Sequence, residues 1–151
     1  MLELAGKADW EAVSRLSRQV HDQHVSWRPD LFQTCDVSLP EAEFLDAIDD
    51  RLLYVARLHD QIVGYVHLNM VTMAGPRCVP RKVMILDSIC VDRDFRGQGI
   101  GRAMLTDVRA LAKAFRCKEV VLTVFPENDG AVAFYQKCGF LIRSIKMDMK
   151  V

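Results

Sequence analysis

The sequence predicts a single mixed α/β domain with a mostly antiparallel central sheet, one parallel strand–helix–strand crossover and about four flanking helices. Three observations support this. The chain has 151 residues, half of them hydrophobic, which suits one domain around one core. Apolar residues recur at helical spacing in four segments, and β-branched and aromatic residues cluster in several segments between them. We therefore expect one domain over residues 1–151.

Two helices are predicted before residue 51. The first has apolar residues at helical intervals from Val13 to Val20, can be capped by Asp9, and ends near Pro29. Ser38 and Glu41 have the spacing of a capping box, which predicts a second helix of about three turns.

Strands dominate the middle of the chain. Residues 52–58 (LLYVARL) and 62–71 (IVGYVHLNMV) are separated by three residues, which predicts an antiparallel hairpin. Residues 82–91 (KVMILDSICV) are apolar enough to form a central strand.

The second half of the chain predicts the parallel strand–helix–strand crossover. A helix of about four turns over residues 100–115 leads to a short buried strand at 119–125, and such a connection is right-handed. Asn128 can begin a fourth helix and Gly139 can end it. Residues 140–151 are predicted to supply one or two short final strands, whose exposed edge could pair with its copy in a homodimer.

Composition excludes several classes of protein. Twenty basic and twenty acidic residues give no net charge, so no general attraction to nucleic acid or an anionic membrane is expected. The five cysteines are odd in number and widely spaced, which indicates reduced thiols rather than disulfides or zinc. No signal peptide or membrane span is visible. We expect a cytoplasmic protein without a metal; His21 and His24 lack a third ligand.

The stretch RDFRGQGIGRAML, residues 93–105, predicts a phosphate-binding loop at the start of the long helix. A Walker loop is excluded because no Lys followed by Ser or Thr comes after the glycines. The dinucleotide fingerprint is excluded because Arg102 stands where its last glycine would be. Free amides at a helix start still favour a pyrophosphate. A glycine-rich turn without a ligand is the alternative.

Together with a second block, this stretch resembles the GNAT superfamily of acyl-CoA-dependent N-acyltransferases. The family's pyrophosphate motif, [RQ]-x-x-G-x-[GA], is matched by Arg96, Gly99 and Gly101 after a central strand. The block ENDGAVAFYQKCGF, residues 127–140, is similar to a downstream family pattern. Its matching residues are Asn128, Ala131, Tyr135, Gly139 and Phe140.

The resemblance implies acetyl-CoA as co-substrate, wedged between the strands 85–91 and 120–125, with its pantetheine arm paired to backbone like an added strand. A helix cap is the alternative role for Asn128, and the two roles can coexist. The residues assigned to acetyl-CoA are Ile89, Val91, Arg96, Gly97, Gln98, Gly99, Ile100, Gly101, Arg102 and Asn128.

The resemblance also implies direct attack of an amine on the thioester. Asp87 is the candidate base, expected on the same strand face as Ile89 and Val91, and a structural aspartate is the alternative. Tyr135 is the candidate acid for the leaving thiolate, and a tyrosine that only packs in the core is the alternative. Cys90 should face the opposite way, into the core.

The first two helices of this family usually wall the acceptor site, and the resemblance therefore assigns four residues near the end of the first helix to that site. Ordinary packing at the helix end is the alternative for them. The residues are His24, Trp27, Arg28 and Phe32. His67 and Asn69 share a strand face and could reach the same cleft, but a histidine that only bonds within the sheet is the favoured interpretation of His67. We expect a primary amine as acceptor, with a small molecule ranked above a protein N-terminus or lysine. The alternative to an enzyme is a non-catalytic module that binds acyl-CoA.

Overall fold

A five-stranded sheet forms the centre of the computed structural model, which describes residues 1–151. The strands lie side by side in chain order; β1–β2, β2–β3 and β3–β4 are antiparallel, and β4–β5 is parallel. This confirms the predicted sheet and its single crossover. The strand bounds are β1 Leu2–Leu4, β2 Leu53–Leu58, β3 Gln61–Met73, β4 Arg81–Val91 and β5 Glu119–Val121.

Four α-helices cover the two faces of the sheet, as predicted. They are α1 Trp10–Trp27, α2 Glu41–Asp49, α3 Ile100–Ala114 and α4 Asp129–Lys137. On one face, Leu16 of α1 and Phe44 of α2 are fully buried against β2 and β3. On the other face, Met104 of α3 is equally buried, and α4 packs beside it through Phe134. None of the helices combines the length and apolar character needed to cross a membrane.

The starts of α1 and α2 differ from the predictions. Asp9 precedes α1, but its carboxylate accepts hydrogen bonds from the Gly6 amide at 2.8 Å and the Arg57 guanidinium at 2.7 Å instead of capping the helix. The capping box before α2 is wrong, because the Ser38 hydroxyl pairs with the Ser17 hydroxyl at 2.8 Å and Pro40 takes the cap position.

The sheet edges also differ from the predictions. The sequence analysis missed β1, a three-residue strand that pairs with β2. The predicted strand at 119–125 is shorter, because pairing with β4 stops at Val121. The predicted final strands are absent, since residues 140–151 form no strand. Asn128 caps α4 as predicted, accepting from the Ala131 amide at 3.2 Å, and Gly139 ends that helix with φ 97°.

Candidate active site

The parallel strands β4 and β5, at one side of the sheet, separate after three paired residues. Val83, Met84 and Ile85 of β4 pair with residues 119–121, after which β4 continues to Val91 without a neighbour on that side. Apart from the Val91 carbonyl, which accepts a hydrogen bond from Arg96, the backbone amides and carbonyls on this side of residues 86–91 have no strand partner and can bond a ligand. This opening is where the sequence analysis expected an acyl-CoA arm beside Ile89 and Val91.

A β-bulge interrupts β4 at Asp87. Ser88 pairs with His67 and Leu86 pairs with Leu68, which leaves Asp87 without a partner on β3. The extra residue changes the alternation of side chains along the strand. Asp87 consequently lies on the side of α2, where it lines a cavity with Glu43.

Ile89 and Val91 instead pack on the opposite face, in the core formed with α3. The prediction that Asp87 shares their face is therefore wrong. Cys90 lies in the core against α1 and α2, as expected, and burial raises the pKa of its thiol to about 11. A thiol in this state is a poor nucleophile at neutral pH.

The glycine-rich loop ends at the free amino end of α3. Gly97 and Gly99 have φ values of 77° and 81°, a left-handed conformation that favours glycine. Gly99 precedes the helix and offers no side chain to cap it, so the Ile100, Gly101 and Arg102 amides at the helix start remain unbonded.

Gly101 is needed for a different reason. Its φ is not positive, but an added Cβ would lie 3.2 Å from the Phe134 ring and 3.6 Å from a Val91 methyl. This glycine lets α4 pack closely against the start of α3 through Phe134, the residue before Tyr135.

A buried aspartate holds the loop in place. Asp92 is 3% exposed, and its carboxylate accepts hydrogen bonds from Arg15 at 2.7 Å, Gln19 at 3.3 Å and the Asp94 amide at 3.4 Å. Although burial opposes ionisation, the bonds from Arg15 and Gln19 lower the pKa of Asp92. The loop is thereby tied to α1.

Arg96 lies on the outer side of this loop. Its guanidinium Nε donates to the Val91 carbonyl oxygen at 3.0 Å, which leaves the terminal nitrogens available. An open polar cavity of about 280 Å³ separates Arg96 and Arg93 from the carboxyl half of α1. The guanidinium is thus open to solvent and accessible to an anionic ligand.

Arg15→Ala should lower the free energy of unfolding by about 1–3 kcal/mol, because a buried carboxylate loses its strongest partner. Arg18→Ala is the control; Arg18 pairs with Asp22 at 3.9 Å, both are exposed, and the expected loss is below about 0.5 kcal/mol. Since the pKa of Asp92 is lowered in the folded state, the Arg15 contribution should be present above pH 3.8 and disappear below it. Equal urea midpoints for the two variants would contradict this account.

Tyr135 lies on α4 in a mostly apolar setting. Its ring packs against Phe134 and Phe140 at centroid distances of 5.5 and 5.7 Å, and its hydroxyl has no hydrogen-bond partner within the protein. Burial, assisted by Cys138, raises the pKa of Tyr135 to about 12. The hydroxyl is therefore a protonated donor, and it lies on the opposite sheet face from Asp87.

An acidic cavity of about 280 Å³ opens between α2 and the bulge. His67 and Asn69 of β3 lie in it, and burial lowers the pKa of His67 although Asp87 partly offsets this effect. The sequence analysis missed the acidic residues of α2 because no local pattern connects them to β4. The four acidic residues lining the cavity are Glu43, Asp46, Asp50 and Asp87.

The predicted acceptor wall forms an aromatic cluster at the end of α1. The His24 ring stacks on Phe32 at 5.2 Å and lies 6.0 Å from Trp27. Phe125, which sequence reasoning did not assign to the site, contacts both His24 and Phe32 at 5.7 Å. Burial lowers the pKa of His24, with a smaller effect from His21, which favours the neutral imidazole.

Arg28 extends from this cluster toward acidic partners. It pairs with Asp30 at 2.8 Å, with Asp148 at 3.7 Å and with Glu127 at 3.9 Å, and the hydrogen bonds that its guanidinium donates to Asp30 raise its pKa. Arg28 therefore connects the α1 end to the loop before α4 and to the C-terminus. No group of three or more His, Cys, Asp or Glu side chains is arranged to hold a metal ion.

Comparison with known proteins gives a consistent family match. The model of the Acetyltransferase (GNAT) family matches residues 17–140. Peptidyl-lysine N-acetyltransferase YjaB of Escherichia coli is 28% identical over 136 residues, covering 87% of this chain and 75% of that protein. Spermine/spermidine N(1)-acetyltransferase of Bacillus subtilis is 36% identical over 56 residues, which are 36% of this chain and only 37% of that protein.

Solved structures show the same fold. A mutant of the BH1408 protein from Bacillus halodurans superposes with a TM-score of 0.95 at 29% identity, covering 100% of this chain and 99% of that one. An aminoglycoside N-acetyltransferase in complex with CoA superposes with a TM-score of 0.72 over all of both chains. Its identity of 17% makes this a likeness of fold alone.

Proposed function

The chain belongs to the acetyltransferase (GNAT) family, and we propose that it transfers an acetyl group from acetyl-CoA to a primary amine by direct attack. One observation carries the proposal: the opening between β4 and β5 leads from free helix amides at one end to a bulged carboxylate at the other. A linear cofactor with a pyrophosphate and a distant thioester fits this arrangement.

The loop supports binding of the cofactor's anionic part. Amides from Gln98 to Arg102 would bond the pyrophosphate, assisted by the helix dipole and by Arg96. The pantetheine arm would then pair with the free edge of β4 near Ile89 and Val91. Asn128 uses its side-chain oxygen to cap α4, so its side-chain nitrogen is the atom available to this arm.

Asp87 would receive the proton of the acceptor amine. A lysine-like amine with a pKa near 10.4 is neutral in only about one molecule in 2,500 at pH 7, so a base is needed before attack. The amine nitrogen bonds to the acetyl carbon, the electron pair of the carbonyl moves to oxygen, and collapse of this intermediate expels the CoA thiolate. Asp87 is suited to the first step because the bulge turns it toward the acidic cavity.

Tyr135 would stabilise the departing thiolate. With a thiol pKa near 8.5 and a tyrosine pKa of about 12, full proton transfer is uphill by about 5 kcal/mol. A hydrogen bond from the hydroxyl to sulfur as charge develops is the role that this difference supports. Water can deliver the final proton.

The acidic cavity supports a cationic acceptor. Four carboxylates around one opening favour an amine that carries further positive charge, such as a small polyamine. A lysine side chain in a peptide is the second candidate, and the long match to a peptidyl-lysine N-acetyltransferase favours it. We rank the small amine first because a polyamine carries several positive charges that can pair with the four carboxylates, whereas a lysine side chain carries one.

The acceptor is tested by supplying acetyl-CoA with mono-, di- and polyamines and, separately, with peptides that differ in N-terminus and internal lysines. Released CoA is measured as free thiol and the acetylated product by mass spectrometry. Turnover of polyamines above background supports the proposal. Turnover restricted to one peptide class would overturn the acceptor ranking, and CoA binding without any product would favour a non-catalytic binding module.

Asp87→Asn should reduce kcat/KM about 10²-fold or more at pH 7 for an amine of pKa near 10, because the general base is lost. Raising the pH supplies neutral amine and should recover part of the loss. Glu43→Gln is the matched control, since it removes one charge from the same cavity without touching the bulge. It should raise KM for a polyamine while the pH profile keeps its shape, and identical profiles for both variants would make Asp87 a structural residue.

A further inference from the structure

His67 of β3 lines the acidic cavity without a hydrogen bond to any other residue. The flanking Val66 and Leu68 are fully buried on the α3 side of the sheet, whereas His67 is half-buried and lies on the α2 side. Every buried side-chain nitrogen and oxygen has a partner, so the unbonded imidazole nitrogens are accessible from the cavity. The sequence analysis favoured a histidine bonded within the sheet, and the structure shows an unbonded imidazole instead.

The register of β3 and β4 brings Asp87 beside this imidazole. His67 pairs directly with Ser88, and such partners project from one sheet face with Cβ atoms about 4.5–5.5 Å apart. The bulge inserts Asp87 next to Ser88 and turns it to the same face, since Asp87 and His67 line one cavity. The Ser88 hydroxyl is bonded to the Tyr65 hydroxyl at 2.7 Å. The charged neighbour that β4 offers to His67 is therefore Asp87.

The charged groups around the imidazole are all acidic. Burial lowers the pKa of His67, and the carboxylates of Asp87 and, to a smaller extent, Glu43 partly offset this effect. On its other side, β2 places the apolar Leu53 opposite His67. The remaining titratable groups that line the cavity are Asp46 and Asp50 of α2. The imidazole is therefore neutral at pH 7 and can accept a proton, and the nearby carboxylates would stabilise the imidazolium.

We propose that His67 receives the proton that Asp87 removes from the acceptor amine and then releases it to water in the cavity. This relay rests on the proposed function. A nitrogen–hydrogen bond of the ammonium group breaks, its proton goes to an Asp87 oxygen, and the amine keeps the electron pair for attack on the acetyl carbon. The proton passes from Asp87 to an imidazole nitrogen through one bridging water. Loss of a proton from the imidazolium to solvent restores the neutral ring.

The relay has a chemical advantage because a carboxylate holds a proton weakly. An imidazole with the ordinary pKa of about 6.5 binds a proton about 400-fold more tightly than a carboxyl with a pKa of about 3.9. Burial reduces this ratio for His67, and the adjacent Asp87 charge partly restores it. Transfer to His67 separates the proton from the amine, to which it would otherwise return. His67 acts through Asp87, as a positioning residue that does not touch the amine.

NMR titration of the imidazoles tests the pairing of His67 with Asp87 without substrate or turnover. The His67 signal is identified among those of the four histidines by its loss in His67→Gln. Asp87→Asn should lower the pKa of His67, because a carboxylate that favours the imidazolium is removed. Asp50→Asn is the matched control; it removes one charge from the same cavity and should shift the His67 pKa less. Equal His67 pKa values in Asp87→Asn and the wild type would overturn the pairing.

The pH profile of kcat/KM tests the relay itself. In the wild type, kcat/KM should fall on the acid side with an inflection below pH 6.5, where His67 becomes protonated. His67→Gln should lower kcat/KM about 10-fold at pH 7 and lose this inflection, since water then takes the proton from Asp87 more slowly. His59→Asn is the control; it removes an exposed imidazole from the β2–β3 turn, at a positive φ that Asn tolerates.

The outcomes separate the relay from the proposed function. Wild-type kcat/KM and an unchanged inflection in His67→Gln would overturn the relay and leave the acetyl transfer intact. A wild-type protein that acetylates no amine would overturn the proposed function, and the relay with it, whatever the NMR titration shows. Loss of the inflection in His67→Gln but not in His59→Asn, together with the pKa shift in Asp87→Asn, supports the relay.

Discussion

Gly99→Asp is expected to remove measurable CoA binding while the protein keeps its fold. The side chain has space, since no atom lies within 4 Å of a Cβ built at this position. Asp is among the non-glycine residues that best tolerate positive φ, and a carboxylate near a helix amino end is stabilising by about 0.3–1 kcal/mol. The same carboxylate would bond the amides proposed to hold the pyrophosphate.

Gly99→Asn separates the effect of charge from that of shape. Asn has nearly the same size as Asp and a similar tolerance of positive φ, but it carries no charge. Two like charges about 4 Å apart repel by about 4 kcal/mol at an effective dielectric constant near 20, or roughly 10³-fold in affinity. We therefore expect Gly99→Asp to bind CoA at least about 10²-fold more weakly than Gly99→Asn by isothermal titration calorimetry. Equal affinities in two folded variants would show that the loop does not hold the pyrophosphate.

Local sequence was sufficient to predict the loop and α3. The glycines, the two arginines and the apolar rhythm after residue 100 all lie within about twenty residues. Gly97 and Gly99 both have positive φ, a conformation that glycine adopts without a steric cost. The role of Gly101 was less visible, because its close approach to Phe134 depends on how α4 packs.

The position of Asp87 could not be predicted from alternation. Strict alternation places it with Ile89 and Val91, but a bulge is set by the pairing register with β3, a neighbour almost twenty residues away in the chain. The acidic cavity was missed for the same reason. It joins α2 to β4, and the carboxylates of an exposed helix face carry no local signal of a site.

The chain ends show the limits of periodicity. Leu2–Leu4 is too short to show alternation, and it becomes a strand because β2 offers a free edge. Residues 141–151 show the opposite case. Their alternating pattern predicts a strand, but no strand of the same chain bonds to them. An alternating pattern indicates that a segment can form a strand. The strand forms only where another strand offers a free edge.

Tyr135→Phe is expected to lower kcat about 10²-fold with little change in the affinity for acetyl-CoA. The hydroxyl has no bond within the protein, so its removal should leave the free energy of unfolding nearly unchanged. Steady-state kinetics, with calorimetry of cofactor binding, measures both effects. Tyr54→Phe is the control; Tyr54 is buried and likewise has its pKa raised by burial, but it belongs to β2 and lies in the core on the α3 side.

The expected size of this loss follows from the raised pKa of Tyr135. Loss of a full proton donor commonly costs 10²–10⁴-fold, but a group with a pKa of about 12 gives up its proton reluctantly to a thiolate of pKa near 8.5. The hydroxyl then contributes mainly a hydrogen bond to developing charge, which sets the loss near the lower end of that range. A loss of 10⁴-fold would indicate full proton transfer from Tyr135 at the transition state. Wild-type activity in Tyr135→Phe would remove Tyr135 from the mechanism, since thiolate departure would then need no donor from α4.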